Sequence, residues 1–355
     1  MKILITGIAG FVGSNLAREI RNKRPDVSII GLDNFIRPGS ENNRHELKAL
    51  GIKIFHGDLR NRSDLETLPS VDWVIDAAAN PSVLAGVDGK TSSLQLIEHN
   101  LGGTIQLLEY CKTNQAGFIL LSTSRVYSIP GISSIQVESK ANAFSPLENQ
   151  EFPEGISRYG VAENFSTMAP VSLYGASKVA SETLALEYGS TFGFPVWINR
   201  CGVLAGRGQF GRPDQGIFSY WINAYLGKQP LKYIGFGGKG NQVRDCLHPK
   251  DLVPLILKQM VSDSESYEQI CNFSGGVENS MSLAQLSDWC KAQCGTHKIG
   301  SDPAMRAFDI PWMVLDNRKA KQVWDWEPKT PINDILKEIL DHAKEHPDWL
   351  ELSTP

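Results

Sequence analysis

The sequence predicts an α/β protein built on a doubly wound parallel sheet, with a smaller, partly interleaved C-terminal lobe. Three observations support this prediction. Short apolar runs alternate with helical patterns through the first 200 residues, which is typical of parallel sheets. A glycine-rich turn joins the first strand to the first helix. Small or polar residues follow several strands, at the carboxyl ends where such sheets bind ligands.

The first strand, Lys2–Thr6, leads into a turn whose glycines are spaced three apart. The first glycine permits a tight turn, the second leaves room for a pyrophosphate, and the third lets the helix pack closely on the strand. Free amide groups at the start of the helix attract the anion. The residues predicted to contact a dinucleotide here are Gly7, Gly10, Phe11, Val12 and Gly13. The alternative is a plain tight turn.

A second apolar strand, Val27–Leu32, ends in Asp33, which lies 20 residues past Gly13. In a Rossmann domain an acidic side chain at this distance binds the adenosine ribose hydroxyls. Its carboxylate repels a 2′-phosphate, so NAD is favoured over NADP as the cofactor. The alternative is that Asp33 and Asn34 only cap a turn.

Further strands and helices follow at the spacing of a doubly wound sheet. The predicted strands are Ile52–Phe55, Val71–Asp76, Gly117–Leu121 and Phe194–Arg200. The predicted helices are 94–113, which contains Asn100, the segment from Tyr174 to about Tyr188, and 215–226, 250–260, 282–294 and 331–345. The segments after the strand ends include Asp58 and Leu59, Ala77–Ala79, and Ser122–Ser124.

Residues 1–200 are predicted to form the NAD-binding domain, with an insertion at about 128–172, and residues 201–355 mainly the substrate lobe. The insertion is rich in Ser, Pro, Asn and Glu and lacks a clear periodicity. A connection of this length is usually functional or mobile. It is therefore either a lid or wall of the substrate pocket, or a plain surface elaboration.

Tyr174 and Lys178 are four residues apart on a predicted helix and share one face. A free tyrosine has a pKa of about 10, and a fixed positive neighbour favours the phenolate. Lowering the pKa to about 7 requires roughly 4 kcal/mol, which is more than one lysine easily supplies. A cofactor cation could supply the remainder. A chance pair on a helix surface is the alternative for this spacing alone.

Composition excludes several classes of protein. The 355 residues are 41% hydrophobic and 21% charged, and the net charge is −4. These values predict no nucleic-acid surface and no membrane surface, and no apolar run approaches the ~20 residues of a membrane span. The start of the chain does not resemble a signal peptide. The six cysteines are scattered, which predicts free thiols in a cytoplasmic protein and no metal site.

Several motifs together resemble the extended short-chain dehydrogenase/reductases, the group of nucleotide-sugar epimerases and dehydratases. They keep their order over nearly the whole chain: TGIAGFVG, Asp33, GDLR, STSRVY, YGASK, QVRD and Arg306. Three looser features resemble the CDP-tyvelose (CDP-paratose) 2-epimerase group. These are RPGSENN, the insertion before YGASK, and GRGQFGRPDQGIFSYW.

The resemblance implies a role for each matching residue. Tyr174 would be the general base, Lys178 would bind the nicotinamide ribose, and Thr123 would bind the reacting oxygen. Further cofactor contacts would come from Asn34, Asp58, Leu59, Ala77, Ala78, Ala79, Asn100, Cys201 and Val203. Arg244 and Arg306 would bind the substrate pyrophosphate, unless they are surface or structural arginines. Weaker substrate candidates are Asn80, Ser124, Gln209 and Gln215, for which plain packing is the alternative.

Some positions depart from the family pattern. Asp76 stands where the family often has His, and Ser128 where it has Gly. Arg200-Cys201-Gly202-Val203 replaces the usual Arg-x-x-Asn. Ser124 and Arg125 occupy the positions of the Asp-Glu pair that the 4,6-dehydratases use to eliminate water, which argues against dehydration.

The sequence therefore predicts an NAD-dependent epimerase that acts on C2 of a CDP-linked deoxyhexose by transient oxidation. A UDP-hexose 4-epimerase shares the same triad and remains an alternative. A net oxidoreductase and an NAD-binding sensor or scaffold without turnover remain open as well. The resemblance also implies a homodimer or homotetramer, with the helices at 94–113 and 173–192 as the candidate interface.

Overall fold

The computed structural model describes residues 1–353 except 88, 90, 91 and 265. Strands and helices alternate through the first part of the chain. The strands are β1 (Lys2–Thr6), β2 (Ser28–Asp33), β3 (Lys53–His56), β4 (Trp73–Asp76), β5 (Gly117–Thr123), β6 (Val137–Lys140), β7 (Ala143–Pro146), β8 (Ile156–Ser157), β9 (Gly160–Val161), β10 (Val196–Cys201), β11 (Val203–Leu204), β12 (Leu231–Ile234), β13 (Val243–Leu247), β14 (Ile270–Phe273), β15 (Ser280–Ser282), β16 (Ile299–Asp302) and β17 (Trp312–Met313).

The predicted helices are all present, with ends shifted by a few residues. The α-helices are α1 (Phe11–Lys23), α2 (Asn43–Ala49), α3 (Arg62–Glu66), α4 (Ser93–Ile97), α5 (Gly103–Asn114), α6 (Ile129–Ser133), α7 (Ser172–Phe192), α8 (Ile217–Leu226), α9 (Val253–Gln259), α10 (Leu283–Cys294), α11 (Arg318–Trp324), α12 (Ile332–Glu345) and α13 (Trp349–Leu352). The helix predicted at 94–113 consists of α4, a π-helical turn at Glu98–Gly102, and α5.

The chain divides into two compact units that interleave along the sequence. The first unit contains Met1–Val126, Leu173–Arg200 and Pro249–Cys271, and the second contains Tyr127–Ser172, Cys201–His248 and Asn272–Pro355. The predicted insertion belongs to the second unit. The second unit is therefore about as long as the first, whereas the sequence predicts a smaller lobe. The predicted boundary at residue 200 would place Pro249–Cys271 in the C-terminal lobe. In the structure this segment belongs to the first unit.

The first unit is built around the predicted doubly wound sheet. Its strand order is β3-β2-β1-β4-β5-β10-β14, and the four neighbouring pairs among β1 to β5 are all parallel. Because the chain first adds strands on one side of β1 and then on the other, the carboxyl ends of β1 and β4 flank a crevice. Buried apolar residues from strands and flanking helices form the core of this unit.

The second unit combines small sheets with helices. In its largest sheet, β13 pairs in parallel with β11 and β17 and antiparallel with β15. The apolar faces of α8, α10 and α12 contribute to one buried core, which includes Trp221, Tyr225 and Leu336. Helix α12 is amphipathic, because its apolar residues recur every three or four positions and lie buried.

Within the residues that the structure describes, no helix is both long and apolar enough to cross a membrane. Among the same residues, no three His, Cys, Asp or Glu side chains are grouped so that they could hold a metal ion. All six cysteines are free thiols.

Candidate active site

The glycine turn between β1 and α1 packs against the backbone that follows β4. Gly7 has a φ of +60°, and a Cβ built on it would lie 2.9 Å from the Cα of Ala78. A Cβ on Gly13 would lie only 2.3 Å from the carbonyl oxygen of Gly7. The turn therefore needs glycine at both positions for the backbones to approach this closely.

The start of α1 fits a bound anion. Gly10 is its N-cap and provides no side-chain capping group, and the first turn, which includes Phe11 and Val12, contains no acidic residue. The first amide groups of a helix have no intrahelical acceptor. In this 13-residue helix they carry the partial positive charge that favours a pyrophosphate, so the turn fits the predicted dinucleotide.

Asp33 at the end of β2 is bonded to the glycine turn. Its carboxylate accepts hydrogen bonds from the amides of Ala9 and Phe35, each at 2.8 Å. Burial raises the pKa of Asp33, and these amides oppose that rise. Asp33 therefore stabilises the turn in addition to its predicted role as a ribose ligand, so the two interpretations of this residue are compatible.

Asn43, on α2, was not identified from the sequence. Its side-chain amide donates to the carbonyl oxygen of Ala9 at 2.8 Å, and its own oxygen accepts from Arg18 at 2.8 Å. Ala9 is thus held through its amide by Asp33 and through its carbonyl by Asn43. The only sequence signal for Asn43 was its place in the RPGSENN segment.

The structure brings Asn34 and Asp58 together, as expected for two residues of one cofactor site. The Asn34 amide donates to Asp58 Oδ2 at 3.0 Å. The Arg60 guanidinium donates to both carboxylate oxygens of Asp58 and holds the pKa of that carboxyl well below its usual range. Leu59 packs against the start of α5, where a Cβ on Gly103 would lie 3.1 Å from it.

Asp76, which replaces the expected His, has a structural role at the end of β4. Its two carboxylate oxygens accept hydrogen bonds from the hydroxyls of Thr6, at 2.8 Å, and Thr104, at 3.1 Å. The Thr6 oxygen in turn accepts from the amides of Ala77 and Ala78, each at 3.2 Å. The departure from the family pattern is therefore accommodated by a buried network that fixes the backbone after β4.

Asn100 lies on the π-helical turn between α4 and α5 and is buried. Its side chain accepts from the Asn80 amide at 2.8 Å and donates to the Asn80 carbonyl at 3.1 Å and to the Ser177 hydroxyl at 3.3 Å. Turns of this kind are frequent at functional sites. The bonds of Asn100 position the loop after β4 and join it to α7. Its cofactor contact stays a prediction.

The three predicted catalytic residues all lie in the first unit, on two neighbouring elements. Tyr174 and Lys178 are one turn apart on α7, and only 7% and 2% of their surfaces are exposed. The Lys178 ammonium donates to the carbonyl of Leu121 on β5 at 3.3 Å. Thr123 ends that same strand, two residues further on. Burial excludes the chance surface pair, because surface side chains would be exposed to solvent.

A buried ion pair supports this helix one turn beyond Lys178. Glu182 pairs with Arg200 of β10 at 2.7 Å, and their side chains are only 4% and 6% exposed. Glu182 also accepts from the hydroxyl of Ser122, the residue before Thr123, at 2.5 Å. Sequence reasoning missed Glu182, although its spacing continues the series Tyr174 and Lys178 on the same helical face.

Replacing Glu182 with glutamine is expected to lower the free energy of unfolding by about 3 kcal/mol, because the buried charge of Arg200 would lose this carboxylate. Urea unfolding of the purified protein measures this value. Glu187→Gln is the matched control, because Glu187 is exposed on the same helix. Its change is expected to stay within about 0.5 kcal/mol. Equal losses in the two variants would show that the ion pair does not stabilise the unit.

In the second unit, Asp245 fixes the segment that follows β10. The amide of Val203 donates to one of its carboxylate oxygens at 3.1 Å, and the amide of Leu315 donates to the other at 2.9 Å. A Cβ on Gly202 would lie 2.4 Å from this carboxylate, and burial raises the pKa of Asp245. Cys201 is buried beside this segment. The predicted cofactor residues Cys201 and Val203 therefore sit on rigid backbone.

The two predicted pyrophosphate ligands, Arg244 and Arg306, both lie in the second unit. Arg244 pairs with Asp309 at 3.0 Å. Burial lowers the pKa of Arg244, Asp309 opposes this effect, and the nearby charge of Arg306 adds to it. Asp245 opposes the effect of burial as well. A guanidinium matches phosphate oxygens through parallel hydrogen bonds, so both side chains fit the predicted diphosphate.

Gln209 and Gln215 lie between β11 and α8 in the second unit. The Gln209 amide group donates to the carbonyl of Leu204 at 2.6 Å. The side-chain oxygens of both glutamines are buried, and within the described residues neither has a hydrogen-bond partner. In the first unit Ser124 is buried in the short 3-10 turn after β5. The two glutamines thus retain acceptor capacity for a ligand or a water molecule, and both the substrate role and plain packing remain compatible with their positions.

Comparison with known families and proteins adds independent findings. The family model described as "NAD dependent epimerase/dehydratase family" matches residues 3–271. The CDP-paratose 2-epimerase of Salmonella typhi is 28% identical over 359 residues, covering 96% of this chain and 98% of that protein. The UDP-glucuronate 4-epimerase of Thermodesulfobacterium geofontis is 25% identical, with 97% and 96% covered.

Solved structures resemble the whole chain as well. The UDP-glucuronic acid 4-epimerase of Bacillus cereus, in complex with UDP-glucuronic acid and NAD, superposes with a TM-score of 0.75 at 25% identity, covering 97% of this chain and 99% of that one. The UDP-glucose 4-epimerase of Bifidobacterium longum has a TM-score of 0.78 at 20% identity, with 98% and 100% covered. This second likeness supports the fold.

Proposed function

Because the chain belongs to the NAD dependent epimerase/dehydratase family, we propose that it is a nucleotide-sugar epimerase acting at C2 of a CDP-linked deoxyhexose of the CDP-paratose and CDP-tyvelose type. Its cofactor is NAD. The observation that carries the proposal is the buried Tyr174–Lys178 pair on α7, bonded to the strand that ends in Thr123. Ser124 and Arg125 after Thr123 leave no acid–base pair for dehydration.

In the proposed reaction Tyr174 takes the proton of a sugar hydroxyl, and Thr123 binds the oxygen that loses it. Lys178 favours the phenolate by its charge. Bound NAD would accept a hydride from the carbon and later return it. The carbon–oxygen single bond becomes a carbonyl, and the sugar turns so that hydride re-enters on its other face. Tyr174 then returns the proton, and no net oxidation results.

Arg244 and Arg306 are the proposed ligands of the substrate diphosphate. A guanidinium binds phosphate oxygens through parallel hydrogen bonds, and the pairing of Arg244 with Asp309 fixes its plane. Gln209 and Gln215, with their unpaired oxygens, are proposed to accept hydrogen bonds from substrate hydroxyl or amino groups. Asn80 and Ser124 remain proposed contacts from the first unit.

The second candidate is a UDP-hexose 4-epimerase, which the similarity to UDP-sugar 4-epimerases favours. The triad is the same in both reactions, so the choice between them depends on the nucleotide and sugar contacts. We further propose that the protein is a homodimer or homotetramer, with the helical segments 94–113 and 173–192 as the candidate interface.

The two substrates are distinguished by incubating the protein separately with CDP-paratose and with UDP-glucose and following the sugar protons by NMR. We expect conversion of CDP-paratose to its C2 epimer. Conversion of UDP-glucose alone would replace the C2 assignment with the 4-epimerase. Denaturing the purified protein and measuring released NAD tests the reaction type, because an epimerase holds about one NAD per chain throughout turnover. An empty site with freely exchanging cofactor would favour a net oxidoreductase.

A further inference from the structure

The loop 206–216, which carries Gln209 and Gln215, is attached to the C-terminal segment of the second unit. The Trp349 indole donates to the backbone carbonyl of Gln209 at 2.9 Å. The rings of Trp349 and Phe210 stack with centroids 5.2 Å apart and planes 15° apart. Trp349 is 6% exposed, so both contacts are shielded from water.

Ser353 adds one hydrogen bond and one close contact to the same attachment. Its carbonyl accepts from Arg212 Nε at 3.2 Å. Its hydroxyl lies 3.4 Å from the carbonyl of Gly211 and 3.2 Å from that of Leu350, and its one proton can be donated to either. We call residues 349–353 the C-terminal clamp. The clamp contacts the three residues after Gln209, which are Phe210, Gly211 and Arg212. These residues lie in an irregular segment between β11 and α8.

The start of α8 holds the other side of the loop. Ser219 donates to the same Gln209 carbonyl at 2.7 Å. Gly211 approaches the helix so closely that a Cβ on it would lie 2.5 Å from the amide nitrogen of Tyr220. The loop is therefore fixed between α8 and the clamp, and a change in the clamp would release only one side of it.

Two side-chain oxygens on this loop, those of Gln209 and Gln215, have no hydrogen-bond donor among the described residues. A buried polar group without a partner costs about 1–3 kcal/mol, which a donor from water or from a ligand would offset. Gln209 is 8% exposed, and the side-chain oxygens of Gln209 and Gln215 are fully shielded. Arg306 approaches the carbonyl of Pro213 on this loop at 3.5 Å, which places a proposed diphosphate ligand beside the same segment.

We propose that the C-terminal clamp is a positioning element for substrate binding. It holds the loop 206–216 in place beside Arg306, so that this segment can contact a bound nucleotide sugar. Trp349 is a positioning residue, because its indole bonds to the loop backbone. The inference rests on the proposed function for the identity of the ligand.

The test compares Trp349→Phe with Trp221→Phe. Trp221 is a matched control in the same unit, since its indole also donates one hydrogen bond of 2.9 Å, to Ser287, and its ring also stacks on an aromatic ring, that of Tyr233. Both of these partners, Ser287 and Tyr233, lie outside the loop 206–216. Both variants lose one hydrogen bond and some volume, so both are expected to be less stable.

Only Trp349→Phe is expected to change the loop and the affinity for substrate. We expect faster hydrogen exchange in the peptide covering 206–216 and an about tenfold higher KM for CDP-paratose, the equivalent of one lost hydrogen bond, with kcat within about twofold. Trp221→Phe should leave both quantities near the wild-type values. Equal exchange in the loop of both variants, or a loss confined to kcat, would overturn the inference.

The proposed function is tested separately, by the turnover of the wild-type protein. If wild-type protein converts neither CDP-paratose nor UDP-glucose, the proposed function is wrong, and with it the ligand assigned to the loop. The exchange data for 206–216 come from protein without substrate, so they decide the positioning part in either case.

Discussion

Replacement of Tyr174 by phenylalanine is expected to lower turnover about a thousandfold, which lies within the range that general acid–base groups contribute. The ring packs against Ala85 and Leu96, and phenylalanine keeps these contacts. The change therefore removes the hydroxyl and little else. Without it, no group at this position can take the sugar proton, so the barrier to hydride transfer rises.

The measurement is kcat with CDP-paratose, together with the amount of NAD released on denaturation. Bound NAD is expected to stay near one per chain, because the glycine turn and Asp33 are unchanged. Tyr188→Phe is the matched control on the same helix, since it loses only a hydrogen bond to Glu109 near the surface. Wild-type turnover in Tyr174→Phe would refute the mechanism and favour a sensor or scaffold without chemistry.

Replacement of Gly13 by alanine is expected to cost about 3 kcal/mol of folding free energy and to abolish NAD binding. The new methyl group would lie 2.3 Å from the Gly7 carbonyl oxygen and 2.8 Å from the Cα of Ile8. Both neighbours are backbone, so α1 must move away from β1. That movement would displace the amide groups that bind the pyrophosphate.

Gly10→Ala separates stability from cofactor binding. Gly10 has an ordinary φ of −70°, and its added Cβ would meet only the Gly7 carbonyl oxygen, at 3.1 Å. We expect a loss of less than about 1 kcal/mol, as for other alanines at an N-cap, but a large loss of NAD because the methyl occupies the space of the pyrophosphate. Thermal unfolding and NAD content measure the two effects. Full NAD occupancy in Gly10→Ala would contradict the assigned cofactor position.

Local patterns predicted the first unit well. The apolar run Lys2–Thr6 is β1 itself, and the helix predicted from Tyr174 to about Tyr188 is α7, which extends a little further at each end. These elements are determined by their own residues and by burial on the sheet. The predicted fold and family are confirmed by the strand order and by the family model.

Long-range contacts could not be read from local patterns. Asn43 lies 34 residues from Ala9 in the sequence, and Trp349 lies 140 from Gln209. A single asparagine or tryptophan has no periodicity that indicates its distant partner. The insertion at 128–172 forms two short hairpins, β6–β7 and β8–β9, and belongs to the second unit. Local patterns within the insertion likewise do not show which unit it joins.

Asp33 limits how the enzyme's preference between the two nicotinamide cofactors could be re-engineered. The usual exchange replaces this acidic residue by a small or basic one to admit a 2′-phosphate. Here the same carboxylate is the acceptor for the Ala9 amide. The exchange would therefore loosen the turn that binds the pyrophosphate of either cofactor. A successful redesign has to introduce a new acceptor for Ala9 together with the new phosphate ligand.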